Sequence, residues 1–178
     1  MESLHTVLQE LTKFAADISS DKEVLELINN ARKVFVFGAG RSGLALKMFA
    51  MRLAQMQQQV EVVGDATTGP IKHEDLLLVA SGSGETQQTK DIAKKASAAG
   101  ATILLLTTSP ASSLAKMANY HVILGGKSKY TADTSSTQPM GAAFEQLVLL
   151  YSDALVLDLM AKWHLSETQL QANHANLE

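Results

Sequence analysis

The chain has no cysteine, which excludes disulfides, thiol nucleophiles and thiolate metal sites together. Only 3 prolines occur, against 46% hydrophobic residues, a balance that excludes a disordered chain and indicates a compact one. The formal net charge is −3 and no Lys/Arg cluster reverses it, so nucleic acid is not an expected partner. Five histidines (His5, His73, His121, His164 and His174) are scattered without metal-ligand spacing, and no metal or other cofactor is expected. The first 18 residues carry Glu2, Glu10 and Asp17 and lack an uninterrupted apolar stretch. That argues against a leader or membrane anchor, and the expectation is a soluble cytoplasmic protein.

What the chain does contain is two glycine- and serine-rich turns, each following an apolar run. Gly38-Ala39-Gly40-Arg41-Ser42-Gly43 comes after Val34-Phe35-Val36-Phe37, and Ser81-Gly82-Ser83-Gly84-Glu85-Thr86 after Leu76-Leu77-Leu78-Val79-Ala80. An apolar run, small residues and then a helical pattern present backbone N–H groups and hydroxyls to a phosphate. Two such turns at the same end of neighbouring strands suggest a pocket for a small phosphorylated molecule.

The 178 residues suit a single domain of three parts: N-terminal helices over 1–31, a βαβ core over 34–125 and C-terminal helices over 137–178. Two helices are expected at about Glu2–Ile18 and Asp21–Ala31, with Ser20-Asp21-Lys22-Glu23 as a capping box at the break. Strands are expected at Val34–Phe37, Val60–Val63, Leu76–Ala80, Ile103–Thr107 and His121–Leu124. Helices at about Leu44–Gln57, Thr86–Ala98 and Ser113–Ala118 separate them, with Gly100 ending the second. Such alternation predicts an α/β fold with a parallel sheet and helices on both faces, binding its ligand beyond the carboxyl ends of the strands. Residues 125–137, opening with Gly125-Gly126-Lys127-Ser128-Lys129, form a polar loop able to close over a site. A long helix from about Thr137 to Trp163 follows, with Pro139 in its first turn. Its apolar residues surround the axis, which predicts burial on more than one side and a homo-oligomer. Ser166-Glu167-Thr168-Gln169 caps a last short helix carrying His174.

The first turn fits G-x-G-x-x-G, and Asp65 stands near the place where a dinucleotide site has its acidic residue. Its glycines serve equally well to permit a tight strand-to-helix turn. In the second turn Ser81, Ser83 and Thr86 offer three hydroxyls where a helix N-terminus favours an anion, although Ser83 also suits an N-cap. Glu85 is out of place beside an anion and should point away or meet a hydroxyl or a cation. Glu145, beside Phe144 and one turn before Val148 and Leu149, reads either as a partly desolvated carboxylate base or as an exposed or salt-bridged glutamate. Arg41 and Arg52 could neutralise phosphate, Arg52 being equally suited to a structural place. Asp65, Thr67 and Thr68 could meet sugar hydroxyls.

The 81–86 turn resembles the phosphate-binding signature of the sugar isomerase (SIS) domain family. Together with residues 38–43, Ala50-Met51-Arg52-Leu53, Gln138-Pro139-Met140-Gly141, Phe144-Glu145-Gln146 and His174-Ala175-Asn176-Leu177-Glu178, it is similar to the 6-phospho-3-hexuloisomerase branch of that family. The resemblance spans nearly the whole chain. It implies a three-layer α/β sandwich around a five-stranded flavodoxin-like sheet, a tetramer, and interconversion of 3-hexulose 6-phosphate with fructose 6-phosphate. That reaction follows 3-hexulose-6-phosphate synthase in the ribulose monophosphate route of formaldehyde assimilation. The implied site comprises Gly40, Arg41, Ser42, Ser81, Gly82, Ser83, Gly84 and Thr86 around the sugar phosphate. Glu145 is the implied base, and His174 a second acid/base from a neighbouring subunit. Two other readings stay open: a non-catalytic sugar-phosphate sensor, which needs no Glu145, and a nicotinamide oxidoreductase, which needs Asp65 on a ribose.

Overall fold

The computed structural model describes residues 1–18, 22–129 and 134–177. Two amphipathic helices, α1 (Glu2–Ala15) and α2 (Lys22–Asn30), lead into an alternating core. This runs β1 (Val34–Gly38), α3 (Arg41–Gln55), β2 (Val60–Val62), β3 (Leu76–Ala80), α4 (Gln87–Ala98), β4 (Thr102–Thr107), α5 (Ser113–Met117) and β5 (Tyr120–Ile123). A long helix, α6 (Ala142–Lys162), and a short one, α7 (Glu167–Ala172), complete it. The expected capping box at Ser20 lies outside the described residues.

All four strand pairings are parallel, in the order β2-β1-β3-β4-β5. The strands read as continuous apolar runs because both sheet faces are covered. Val34, Val36, Leu76, Leu78, Leu104 and Leu106 face a core shared with α1, α2, α3 and α6. The alternate residues Phe35, Leu77, Val79, Ile103 and Leu105 face Ala93, Ala96, Leu114 and Ala115 of α4 and α5. This is the three-layer, flavodoxin-like arrangement. The chain winds outwards from β1 to β2 and then back past β1 to β3, so the crevice beyond β1 and β3 is the topological switch point. Both glycine-rich turns leave the sheet there. The strand order differs from the 3-2-1-4-5-6 order of the dinucleotide-binding fold.

Several boundaries differ from those expected. Helix α3 begins at Arg41, three residues before Leu44, because Gly40 takes φ +60° as its N-cap and turns the chain straight from strand to helix. Thr86 is the N-cap of α4, not a residue of its first turn. Gly100, at φ +79°, ends α4 as expected. Helix α6 starts at Ala142, five residues after Thr137, since Met140 stands at φ +55° and a left-handed residue cannot continue a helix. Ser166 and Gln169 form the complete capping box of α7, but that helix stops at Ala172 and leaves His174 beyond it. Helix α6 buries Phe144, Leu147, Val148, Tyr151, Leu155, Val156 and Leu159, yet Leu150 and Leu157 are exposed. Leu44, Met48 and Met51 of α3 are exposed as well, and α3 packs against α6.

Gly38 and Gly43 close the first turn by direct backbone contact: a Cβ at Gly43 would lie 2.1 Å from the Gly38 carbonyl oxygen. Gly43→Ala therefore forces β1 and α3 apart. We expect a loss of about 1–3 kcal/mol and a melting temperature several degrees lower in thermal unfolding. An unchanged melting temperature would mean that the turn relaxes freely.

Candidate active site

A cavity of about 210 Å³ opens beyond the carboxyl ends of β1 and β3. Its wall includes Ser42, Ser81, Gly82, Ser83 and Thr86 from the two turns, Lys127, Ser128 and Lys129 from the segment after β5, and Phe144 and Glu145 of α6. This is below the roughly 300–1,000 Å³ of sites for drug-sized ligands. A small metabolite fits better than a dinucleotide.

The second turn is pinned from three sides. The Gly82 carbonyl accepts the hydroxyls of Thr107 at 3.0 Å and Thr108 at 2.9 Å. Gly84 has φ +62° and lies against Ser112, whose Oγ a Cβ would approach to 2.0 Å. Ser112 in turn caps α5, accepting from the Ala115 N–H. Ser83 does not cap α4: its Oγ accepts the Glu85 N–H at 3.2 Å. Thr86 holds the N-cap position without a side-chain cap bond. Most telling is Ser81, which is 5% exposed and whose hydroxyl has no hydrogen-bond partner among the described residues. A buried hydroxyl left unpaired at a cavity wall marks a place for a ligand oxygen.

Glu85 points away from the cavity. Its carboxylate accepts the Ser113 backbone N–H at 2.6 Å and meets Lys90 at 3.2 Å. The Ser113 N–H and hydroxyl, and after them Lys90, hold its carboxyl below the usual range.

Across the cavity, Glu145 stands in the first turn of α6 with its side chain 5% exposed. The burial expected from Phe144 and Val148 is present, and so is the salt bridge of the other reading. Arg41 Nε donates to Oε2 at 2.5 Å, and Lys129 Nζ lies 3.6 Å from Oε1. Arg41 thus meets the carboxylate, and Gly40, Arg41 and Gly84 are not among the residues that line the cavity. Asp65 faces Lys47 at 3.4 Å, and the Thr68 hydroxyl donates to the carbonyls of Val62 and Asp65. Arg52 donates to Gln55 at 2.8 Å. None of these last residues lines the cavity. His174 is exposed beside Arg52 and Gln55, at the opposite end of α3. That helix has 15 residues, about 22 Å at 1.5 Å per residue. Within one chain, His174 and Glu145 are not brought together. No cluster of three or more His, Asp or Glu able to hold a metal occurs among the described residues.

Lys127, Lys129 and Glu10 are site-shaping residues that the motifs did not identify. Two lysines in a glycine/serine run were a usable signal for the first pair. Glu10 had none, being 126 to 128 residues from its partners. Its carboxylate accepts the Ser136 hydroxyl at 2.6 Å, the Thr137 N–H and hydroxyl at 2.7 Å each, and the Gln138 amide at 3.2 Å. Gln138 accepts from Gln146 of α6 at 2.8 Å. The helix carrying Glu145 is therefore moored to α1.

A model of the SIS domain matches residues 27–150. The chain is 39% identical to the 3-hexulose-6-phosphate isomerase of Bacillus subtilis, over 99% of its own length and 98% of that protein's. It is likewise 39% identical to the 3-hexulose-6-phosphate isomerase of Mycobacterium gastri, over 99% and 90% of the two lengths. Among solved structures, one from Methanococcus jannaschii superimposes with a TM-score of 0.84 at 29% identity over 100% of both chains. That structure was taken to infer a molecular function of 3-hexulose-6-phosphate isomerase.

The Glu10 mooring has a pH signature. The Ser136 hydroxyl, with Thr137 and Gln138, lowers the Glu10 pKa from 4.5 to about 2. A depressed carboxyl pKa adds stability above pH 4.5, lost as pH falls towards about 2. Glu10→Gln should unfold at lower urea concentration than wild type at pH 7, and the gap should narrow steadily below pH 4.5. A gap independent of pH would show that the carboxylate charge does not hold the segment.

Proposed function

The chain belongs to the SIS domain family, and on that premise we propose that it interconverts D-arabino-hex-3-ulose 6-phosphate and D-fructose 6-phosphate. The phosphate sits against Ser42, Ser81, Ser83 and Thr86, with Gly40, Gly82 and Gly84 giving backbone access and Arg41 adding positive charge. Glu145 removes the proton on C2. The C–H electron pair becomes the C2–C3 double bond, and the former carbonyl pair moves onto O3. Return of the proton to C3 and transfer of the O2 proton to O3 leave the ketone at C2. Glu145 is the base, and His174 of a neighbouring subunit relays the proton between the oxygens.

The observation that carries this reading is a buried carboxylate on the wall of a metabolite-sized cavity that also holds a buried hydroxyl with no partner among the described residues. A hydroxyl cradle alone serves a sensor, whereas a carboxylate kept from water beside it serves proton transfer. The two relatives named 3-hexulose-6-phosphate isomerase, aligned over nearly the whole chain, support the same reaction. No helix among the described residues is long and apolar enough to cross a membrane, which is compatible with a place in the cytoplasm. The enzyme works after 3-hexulose-6-phosphate synthase, which joins formaldehyde to ribulose 5-phosphate. It works as a tetramer, and the exposed apolar residues Leu44, Met48 and Met51 of α3 and Leu150 and Leu157 of α6 support contact between copies.

The test is a coupled assay with hexulose 6-phosphate made from formaldehyde and ribulose 5-phosphate. Wild type should yield fructose 6-phosphate. Glu145→Gln should bind fructose 6-phosphate in calorimetry yet lose activity by about 10²–10⁴-fold, the range for removal of a general base. Turnover that survives the substitution removes Glu145 as the base.

His174 has a directional signature. In hexulose 6-phosphate O6 is esterified, so C3 cannot close a five-membered ring, whereas fructose 6-phosphate closes one through C2 and must open. His174→Gln should therefore slow proton exchange from fructose 6-phosphate more than from the hexulose. Equal slowing in pre-steady-state deuterium exchange would leave His174 without a ring-opening role.

A further inference from the structure

Lys129 stands on the cavity wall beside Glu145. Its ammonium lies 3.6 Å from Glu145 Oε1 and 3.9 Å from the point where a Cβ on Gly40 would stand. Its stem passes Gly141, where an added Cβ would be 3.7 Å from Lys129 Cγ. Gly40 and Gly141 are the N-caps of α3 and α6. The cation therefore stands where two helices begin, each with about half a positive charge at that end. A lysine gains nothing from such a place unless anions are present. Glu145 is one, but Arg41 already holds its other oxygen at 2.5 Å. One carboxylate between two side-chain cations and two helix N-termini leaves positive charge in surplus.

The two lysines on the cavity wall are not equivalent. Lys127 Nζ donates to the Ser136 carbonyl at 3.0 Å. Among the described residues Lys129 meets a side-chain partner only in the longer contact with Glu145, and its side chain is 40% exposed on a flexible stem. An oxygen on the carbon that Glu145 deprotonates, or on the next carbon, falls within its reach.

We infer that Lys129 is a catalytic residue whose ammonium moves from Glu145 to the substrate oxygen O3, where the negative charge of the enediolate develops. This rests on the isomerase reading above. As Glu145 takes the C2 proton, the C–H pair forms the C2–C3 double bond and the carbonyl pair settles on O3, held by a Lys129 N–H. The ammonium keeps its proton throughout, so the reaction balances without another reactant. Its departure also frees the Oε1 of Glu145 to receive the substrate proton. A donor aimed at developing charge in a closed site is commonly worth 10²–10³-fold in turnover.

The experiment compares wild type, Lys129→Met, Lys129→Gln and Lys129→Ala with hexulose 6-phosphate, with thermal melting as the control for folding. We expect kcat to fall about 10²-fold or more with KM changed by about threefold or less, the pattern of an interaction made in the transition state. Methylammonium in the buffer should restore at least about tenfold of the turnover of Lys129→Ala without changing its melting temperature, a rescue that a merely structural lysine would not show. A kcat within about threefold of wild type in the variants that melt normally would overturn the inference. So would a loss confined to KM, which makes Lys129 a phosphate ligand only. Absence of isomerisation by the wild-type enzyme would instead overturn the isomerase reading itself, and the role of Lys129 with it.

Discussion

A carboxylate withdrawn from water at the point where two helices begin is the constraint that organises the rest of the chain. Glu145 lies in the first turn of α6, and its main partner, Arg41, is the first residue of α3, 104 positions earlier. Burying an ion costs several kcal/mol even after pairing, and an apolar pair of similar volume often serves stability as well or better. Helices α3 and α6 already share an apolar interface through Leu46, Phe49, Leu53, Phe144, Leu147 and Val148. They need no ion pair to stay together. The pair is explained by what it faces: a cavity with hydroxyls on the opposite wall and cations to spare.

The fold supplies the rigid frame for that arrangement. Reversal of the winding between β1 and β3 opens a crevice, and both turns enter it from buried central strands. The first turn is tight because Gly38 and Gly43 touch through their backbones. The second is tied down by Thr107, Thr108 and Ser112. Ser81 is therefore held in place, with no partner for its hydroxyl among the described residues. Ordering such a group in advance removes a cost that would otherwise fall on binding or on the reaction itself.

The parts legible in the sequence were those with a local cause. Leu76–Ala80 is an apolar run of strand length flanked by polar residues, and it is a central strand with every residue buried. Gly100 and the Ser166/Gln169 box are short-range chemistry, and both stand as expected. The start of α6 was misplaced because Pro139 suits a first helical turn, while the left-handed turn at Met140 depends on how residues 136–138 are held. That hold comes from Glu10, and no spacing rule links positions so far apart. Glu145 looked ambiguous between buried base and salt-bridged surface residue. It is both buried and bridged, because its partners come from β1–α3 and from the segment after β5. Lys129 went unrecognised for the same reason: as one letter in a polar loop it resembles any solvated lysine, and only the convergence of two helix starts gives it a role.

One demand of the proposed reaction is not met within a single chain. A proton leaves O2 and must arrive at O3, yet Glu145 is occupied with the carbon-bound proton, and an ammonium or guanidinium has no lone pair to receive another. The imidazole with the right chemistry, His174, sits at the far end of α3, beside Arg52 and Gln55. An exposed apolar strip runs along that same helix, from Leu44 near the cavity to Met51 near the other end. If two copies meet through this strip about a two-fold axis perpendicular to α3, the helices run antiparallel and each far end comes towards the other's cavity. In such a pair the exposed residues of α6 and the remote histidine would serve together, since the contact between copies would bring an imidazole towards each cavity.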